Sequence, residues 1–127
     1  MIKNVLIVGL GGGAGSMLRY LGSLFALKYF GGGWPWATWT VNILGCLLAG
    51  VLSGLWGNAA NSTGRLLWIA GFCGGFTTFS AFALENIHCW QMGEYSKMFF
   101  YTLASIVSGF AAVWLGMAIF KIMKNVL

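Results

Sequence analysis

Charged side chains divide this chain into long apolar stretches. Lys3, Arg19, Lys28, Arg65, Lys97, Lys121 and Lys124 are its cations, and Glu85 and Glu94 are its acids. Between them run uncharged segments from Asn4 to Leu18, Tyr29 to Gly64, Leu66 to Leu84 and Met98 to Phe120. A helix crossing a hydrocarbon core about 30 Å thick needs roughly 20 mostly apolar residues, so stretches of this length predict membrane spans. Gly31-Gly32-Gly33-Trp34-Pro35 must end the first helix, because three glycines and a proline cannot continue it, and the small polar residues 58–63 end the second. Gln91 to Ser96 make the last turn. The pattern predicts an all-α membrane protein with four transmembrane helices near 4–27, 36–56, 66–91 and 97–123, forming one domain over 1–127.

Composition sharpens this reading. The chain is 59% hydrophobic and 7% charged, whereas a soluble domain carries about 25% charged residues. It cannot cover a water-facing surface, which excludes an ordinary cytosolic enzyme. The first apolar run is not expected to be a signal peptide, since Arg19 interrupts the would-be cleavage region and no hydrophilic domain follows. A net charge of +5 forms no stripe or patch for nucleic acid, and the cations read as anchors at the membrane ends. With four spans, one face collects Lys3, Arg65, Lys121 and Lys124, and the other Lys28, Lys97 and Arg19. The positive-inside rule puts both termini in the cytoplasm, but so slight a bias predicts insertion in both orientations.

Familiar soluble chemistry finds no support. Cys46, Cys73 and Cys89 are odd in number, lie within predicted spans and lack metal-ligand spacing. His88 has no Ser or Cys partner at motif spacing. Val5-Leu6-Ile7-Val8 followed by Gly9-x-Gly11-x-x-Ala14 imitates a dinucleotide turn, yet the acid that should follow about 20 residues later is missing. In lipid those glycines have another use. Gly9/Gly13, Gly11/Gly15, Gly50/Gly54 and Gly71/Gly75 are small-xxx-small pairs that let helix backbones approach closely.

Polar residues inside the spans are the candidate functional groups. In Gly74-Gly75-Phe76-Thr77-Thr78 two glycines and two threonines at mid-membrane depth weaken the helical ladder and predict a break in the third helix. Freed backbone is tolerated in a bilayer only when buried in protein or lining a watery cavity; a bound cation is one solution, and a kink packed against neighbours is an equally good one. Phe76, Phe79 and Phe82 recur at steps of three, with Phe72 a turn earlier, predicting one aromatic face. Aromatic rings carry a positive edge, and with the donors of Thr78, Ser80 and Asn42 they suit a small anion. Thr38 and Asn42 share a face at i, i+4, as do Tyr101 and Ser105, with Ser108 a turn on. A serine that bonds its own i−4 carbonyl is the plainer reading of each, but four polar faces on three helices favour a shared polar track over four separate coincidences. Arg19 and Glu85 are ionisable groups within the spans, which are functional hypotheses by default.

These blocks carry a specific resemblance. Gly12-Gly13-x-Gly15-Ser16-x-x-Arg19-Tyr20, Thr38-x-x-Val41-Asn42-x-x-Gly45 and Gly71-Phe72-Cys73-Gly74-Gly75-Phe76-Thr77-Thr78-Phe79-Ser80-x-Phe82-x-x-Glu85 resemble the Fluc (CrcB) family of fluoride channels, over essentially the whole chain. The resemblance implies an antiparallel, dual-topology homodimer in a prokaryotic inner membrane, with a broken third helix and two fluoride pores. It gives Phe79 and Phe82 the ring edges that face the anion, Asn42 a donor role beside them, and Thr78, Ser80, Tyr101 and Ser105 places on a polar track. Thr38, Glu85 and Arg19 are expected along the same pathway. A structural sodium ion would be held by backbone carbonyls of Gly74 and Thr77. Ala37, Trp39 and Gly109 depart from the pattern, which implies glycine, leucine and serine there. A small multidrug-resistance transporter is the rival reading, but that family works through a glutamate in its first helix, and none is present here. A membrane scaffold would explain the glycines but not the polar faces.

Overall fold

The structure, a computed structural model, describes residues 1–127 and is entirely helical. Helix α1 runs Ile2–Phe30 and α2 Trp36–Trp56. The third span, Thr63–Gln91, is broken into α3 (residues 63–76) and α4 (Phe79–Gln91), and α5 runs Tyr95–Val126. All four spans are long and apolar enough to cross a membrane. The second matches the expected 36–56 at both ends; the others run up to three residues longer at an end. Lys3, Lys28, Lys97 and Lys124 lie inside helical end turns rather than beyond them, because a lysine stem can follow apolar surface while its ammonium reaches water. Helix α1 stops where Gly31 takes φ 70°, and Ser62 caps the start of α3 by accepting from the Arg65 N–H at 3.3 Å.

Glycines decide which helices touch. A Cβ on Gly11 would sit 2.1 Å from the Leu67 carbonyl oxygen, one on Gly15 2.2 Å from that of Phe72, and one on Gly75 2.3 Å from that of Gly12. The α1 and α3 backbones are therefore in direct contact. Helix α2 meets α5 in the same way: a Cβ on Gly50 would lie 2.2 Å from the Val113 oxygen, and one on Gly116 2.3 Å from the Leu47 oxygen. Lipid tails are as apolar as leucine, so close packing of small residues replaces the hydrophobic drive of water. Of the expected pairs, Gly11/Gly15 and Gly71/Gly75 meet backbone this way, Gly50 does so while its partner Gly54 makes room for the Phe120 ring, and Gly9 and Gly13 meet nothing within 4 Å. Gly116, which the spacing did not single out, completes the α2–α5 contact. Only 14 residues are buried; Leu10, Phe110, Trp114 and many other large apolar side chains stand on the outside, as lipid solvation allows.

Two backbone features interrupt the third span. Leu66–Cys73 is wound as a π-helix, a rare form that often accompanies functional sites and that no residue pattern announces here. The break follows at Thr77 (φ −80°, ψ 157°) and Thr78 (φ −147°, ψ 117°). It falls on the threonines, while Gly74 and Gly75 stay helical. Gly75 is fixed in the helix by its contact with α1, and the threonines can satisfy what the break exposes. The Thr77 hydroxyl donates to the Cys73 carbonyl at 2.8 Å, and the Thr78 hydroxyl caps α4 by accepting from the Ala81 N–H at 3.2 Å.

Candidate functional site

Asn42 on α2 braces the break. Its Nδ2 donates to the Thr78 carbonyl at 3.1 Å, and its Oδ1 accepts from the Thr78 N–H at 2.7 Å. The side-chain amide thus replaces both backbone partners that Thr78 lost with the helix. An amide nitrogen carries two hydrogens, so one N–H of Asn42 is left for the space beside it. That space is a cavity of about 370 Å³ between α2, the break, α4 and α5, whose wall includes Asn42, Thr78, Phe79, Phe82 and Ser105. The Phe79 and Phe82 rings lie 5.6 Å apart at 42°. Phe79 is 77% exposed, so the cavity opens on the outer face of the chain. The exposed Ser80, outside the cavity lining, has its hydroxyl 3.2 Å from that of Thr78.

The expected single phenylalanine face is not formed. Phe72 and Phe76 stack on each other at 5.9 Å and 9° within α3, and Phe76 is buried. Phe79 and Phe82 belong to α4, beyond the break. Extended residues 77–78 interrupt the helical period, so steps of three no longer share a face across them.

Glu85 lies one turn beyond Phe82 on α4 and gathers two hydroxyls. Thr38 of α2 donates to its Oε1 at 2.5 Å, and Tyr101 of α5 donates to its Oε2 at 2.6 Å. Hydroxyl–carboxyl contacts this short belong to the strong class of hydrogen bonds, and they tie three helices together at membrane depth. Tyr101 is fully buried: its ring meets Phe82 at 5.2 Å on one side and Trp34 edge-on at 5.6 Å on the other. Beyond Glu85 a second cavity of about 380 Å³ is lined by Trp34, Glu85, His88 and Lys97, among others. Polar groups therefore run from the break, past Asn42 and Ser105, through Tyr101, Glu85 and Thr38, to a mouth carrying His88 and Lys97.

Arg19 stands apart from this line. Its Nε donates to the Gly75 carbonyl at 3.1 Å, and the Ser16 hydroxyl reaches the same oxygen at 3.4 Å, so Arg19 holds the end of α3 and makes no ion pair with Glu85. Ser108 makes the bland contact, bonding back to the Ala104 carbonyl. No cluster of His, Cys, Asp or Glu could hold a metal, and the cysteines are free. The Thr77 carbonyl accepts no hydrogen bond from the chain, and Gly74 is exposed. Two members of the site escaped the spacing argument. Trp34 sits in the glycine-rich turn, read only as a helix breaker, and Trp39 was noted only as a departure, although both ring systems border the cavities.

Four apolar spans, a helix broken at mid-depth and a line of polar side chains between two cavities define a small membrane transport protein. Residues 6–117 match the profile described as CrcB-like protein, Camphor Resistance (CrcB), and the chain belongs to that family. It is 44% identical over 118 residues to the fluoride-specific ion channel FluC of Azobacteroides pseudotrichonymphae, covering 91% of this chain and 94% of the relative. The fluoride-specific ion channel FluC of Phocaeicola vulgatus is 42% identical over 116 residues, covering 91% and 96%. That of Flavobacterium psychrophilum is 42% identical over 122 residues, covering 94% and 98%.

Proposed function

We propose that this chain is a fluoride-selective channel of the prokaryotic plasma membrane, passing fluoride down its electrochemical gradient and so lowering cytoplasmic fluoride. It is a multi-pass transport protein and not an enzyme. The observation that carries the reading is the cavity at the break, where uncharged donors from Asn42, Thr78 and Ser105 meet the rings of Phe79 and Phe82. Fluoride is the smallest halide and holds water most tightly, so a selective path must replace many hydrogen bonds at once. Hydroxyl and amide donors do that, and ring edges add weak positive potential. Without a fixed cation in the wall, the anion binds and still leaves, as conduction requires.

The working unit is an antiparallel homodimer in the lipid bilayer, and the slight charge bias of the loops and the exposure of Phe79 support it. A second copy covering that face would close the open side of the cavity. A sodium ion held by the carbonyls of Gly74 and Thr77 acts structurally; the unpartnered Thr77 oxygen and the exposure of Gly74 support that role. Such an ion supplies positive charge to freed carbonyls where water is excluded. On the anion path Asn42, Thr78 and Ser80 donate first. Ser105 supplies a hydroxyl further on, and Tyr101 and Thr38 line the path beyond it with their protons committed to Glu85. Arg19 acts from the side by securing the end of α3. The experiment is fluoride efflux from liposomes holding only the purified protein, with a potassium ionophore to balance charge. Rapid efflux without a proton gradient is expected; no efflux, or efflux only when a proton gradient drives it, would overturn the reading.

A further inference from the structure

Two polar groups on the cavity wall have no partner in the chain: the indole Nε1 of Trp39 and the hydroxyl of Ser105. Both atoms are buried, and both residues line the cavity that holds Asn42 and Phe82. Buried polar groups are nearly always hydrogen-bonded, so two orphans on one wall call for a shared partner. Their chemistry says what kind. An indole N–H only donates, and a serine hydroxyl rotates to donate; a cation leaves the indole unsatisfied, whereas an acceptor satisfies both. Gly109, one helical turn beyond Ser105, has no side chain, and a Cβ there would meet only Cys46 Sγ at 3.8 Å. Room beside the two donors is therefore left unfilled.

We infer that Trp39 and Ser105 form an anion-binding station deeper in the cavity than the break, taking desolvated fluoride between an indole N–H and a hydroxyl. The inference rests on the fluoride-channel reading and adds to it a ligand, Trp39, that is not among the residues expected on the pathway. The anion arrives from the free N–H of Asn42 and moves on toward Tyr101, with no covalent change. The edge-on packing of Trp39 against Trp36, at 6.0 Å and 79°, steadies the indole ring. A resident water would also satisfy two such groups, and it makes a different forecast.

The direct test uses the unaltered protein labelled with ¹⁵N in detergent micelles. The Trp39 indole resonance, assigned through its own backbone, is followed during titration with sodium fluoride and, at matched ionic strength, sodium chloride. A saturable downfield shift with fluoride and none with chloride is expected; a resonance that fluoride leaves in place overturns the station and favours water. In liposomes, Trp39→Phe keeps the aromatic bulk and removes the N–H, and fluoride efflux should fall about tenfold, as loss of one hydrogen bond to a charged group implies. Efflux at the unaltered rate overturns its place on the path. If the unaltered protein passes no fluoride, the channel reading fails while the titration still decides whether the station binds it.

Discussion

Removing the Asn42 side chain should both loosen the third span and stop conduction, and the size of the first effect can be worked out. In Asn42→Ala the Thr78 N–H loses the acceptor at 2.7 Å and the Thr78 carbonyl loses the donor at 3.1 Å. Neither group has another partner in the chain. A buried polar group left unsatisfied costs about 1–3 kcal/mol, so the pair implies about 2–6 kcal/mol. Water reaching the break through the open cavity recovers part of that, leaving an expected loss of about 2–4 kcal/mol. The assay is SDS titration of the purified protein in mixed micelles followed by far-UV circular dichroism, with an unchanged slope required for comparison. Ser80→Ala is the control: Ser80 is exposed and touches only the Thr78 hydroxyl, so its change should stay within about 0.5 kcal/mol. A loss below about 0.5 kcal/mol in Asn42→Ala would refute the brace.

The glycine contacts give a sharper contrast. Gly75→Ala places a methyl 2.3 Å from the Gly12 oxygen and should cost about 1–3 kcal/mol by forcing α1 and α3 apart. Gly22→Ala, with Val41 Cγ1 at 3.5 Å, should be neutral or stabilising by up to about 1 kcal/mol in the same titration. Tyr101→Phe keeps the ring against Phe82 and Trp34 but removes the bond to Glu85; about 1–3 kcal/mol of stability should go with it, together with most of the fluoride efflux. For topology, C-terminal tags should be reached from both sides of the membrane in equal measure, and labelling from one side only would reject an antiparallel dimer.

Much of this molecule was legible before any coordinates, and the reasons are physical. A bilayer demands long apolar runs, so the spans and the turn at residues 31–35 stood out, and α2 began and ended where expected. The pairing of helices was partly legible because glycine spacing marks close approach, yet the same spacing flagged Gly9 and Gly13, which pack on nothing in the chain. Sequence periodicity identifies a face but not the neighbour it meets. The third span hid the most. A π-turn has no residue signature, and within the expected stretch of glycines and threonines the break falls on Thr77 and Thr78 because a contact with α1 holds Gly75 helical. The extended residues there split the phenylalanines into two groups. At the site, Thr38 with Asn42 and Tyr101 with Ser105 were correctly placed on shared faces. Their convergence on Glu85, and the separation of Arg19 from it, are tertiary facts that spacing cannot carry. Trp39 was visible as a departure, but only an unpartnered N–H in a cavity wall gives it a role.

Fluoride and chloride efflux measured side by side from the same liposomes, for the unaltered protein and for Phe79→Ile and Phe82→Ile, tests the central claim most directly. Isoleucine keeps apolar bulk but has no ring edge to offer. The unaltered protein should release fluoride rapidly and hold chloride, and each variant should remain folded while fluoride release falls at least about tenfold, the scale of one lost interaction near 1.4 kcal/mol. Chloride leaving as fast as fluoride, or fluoride leaving both variants at the unaltered rate, would contradict a fluoride path through the cavity at the break.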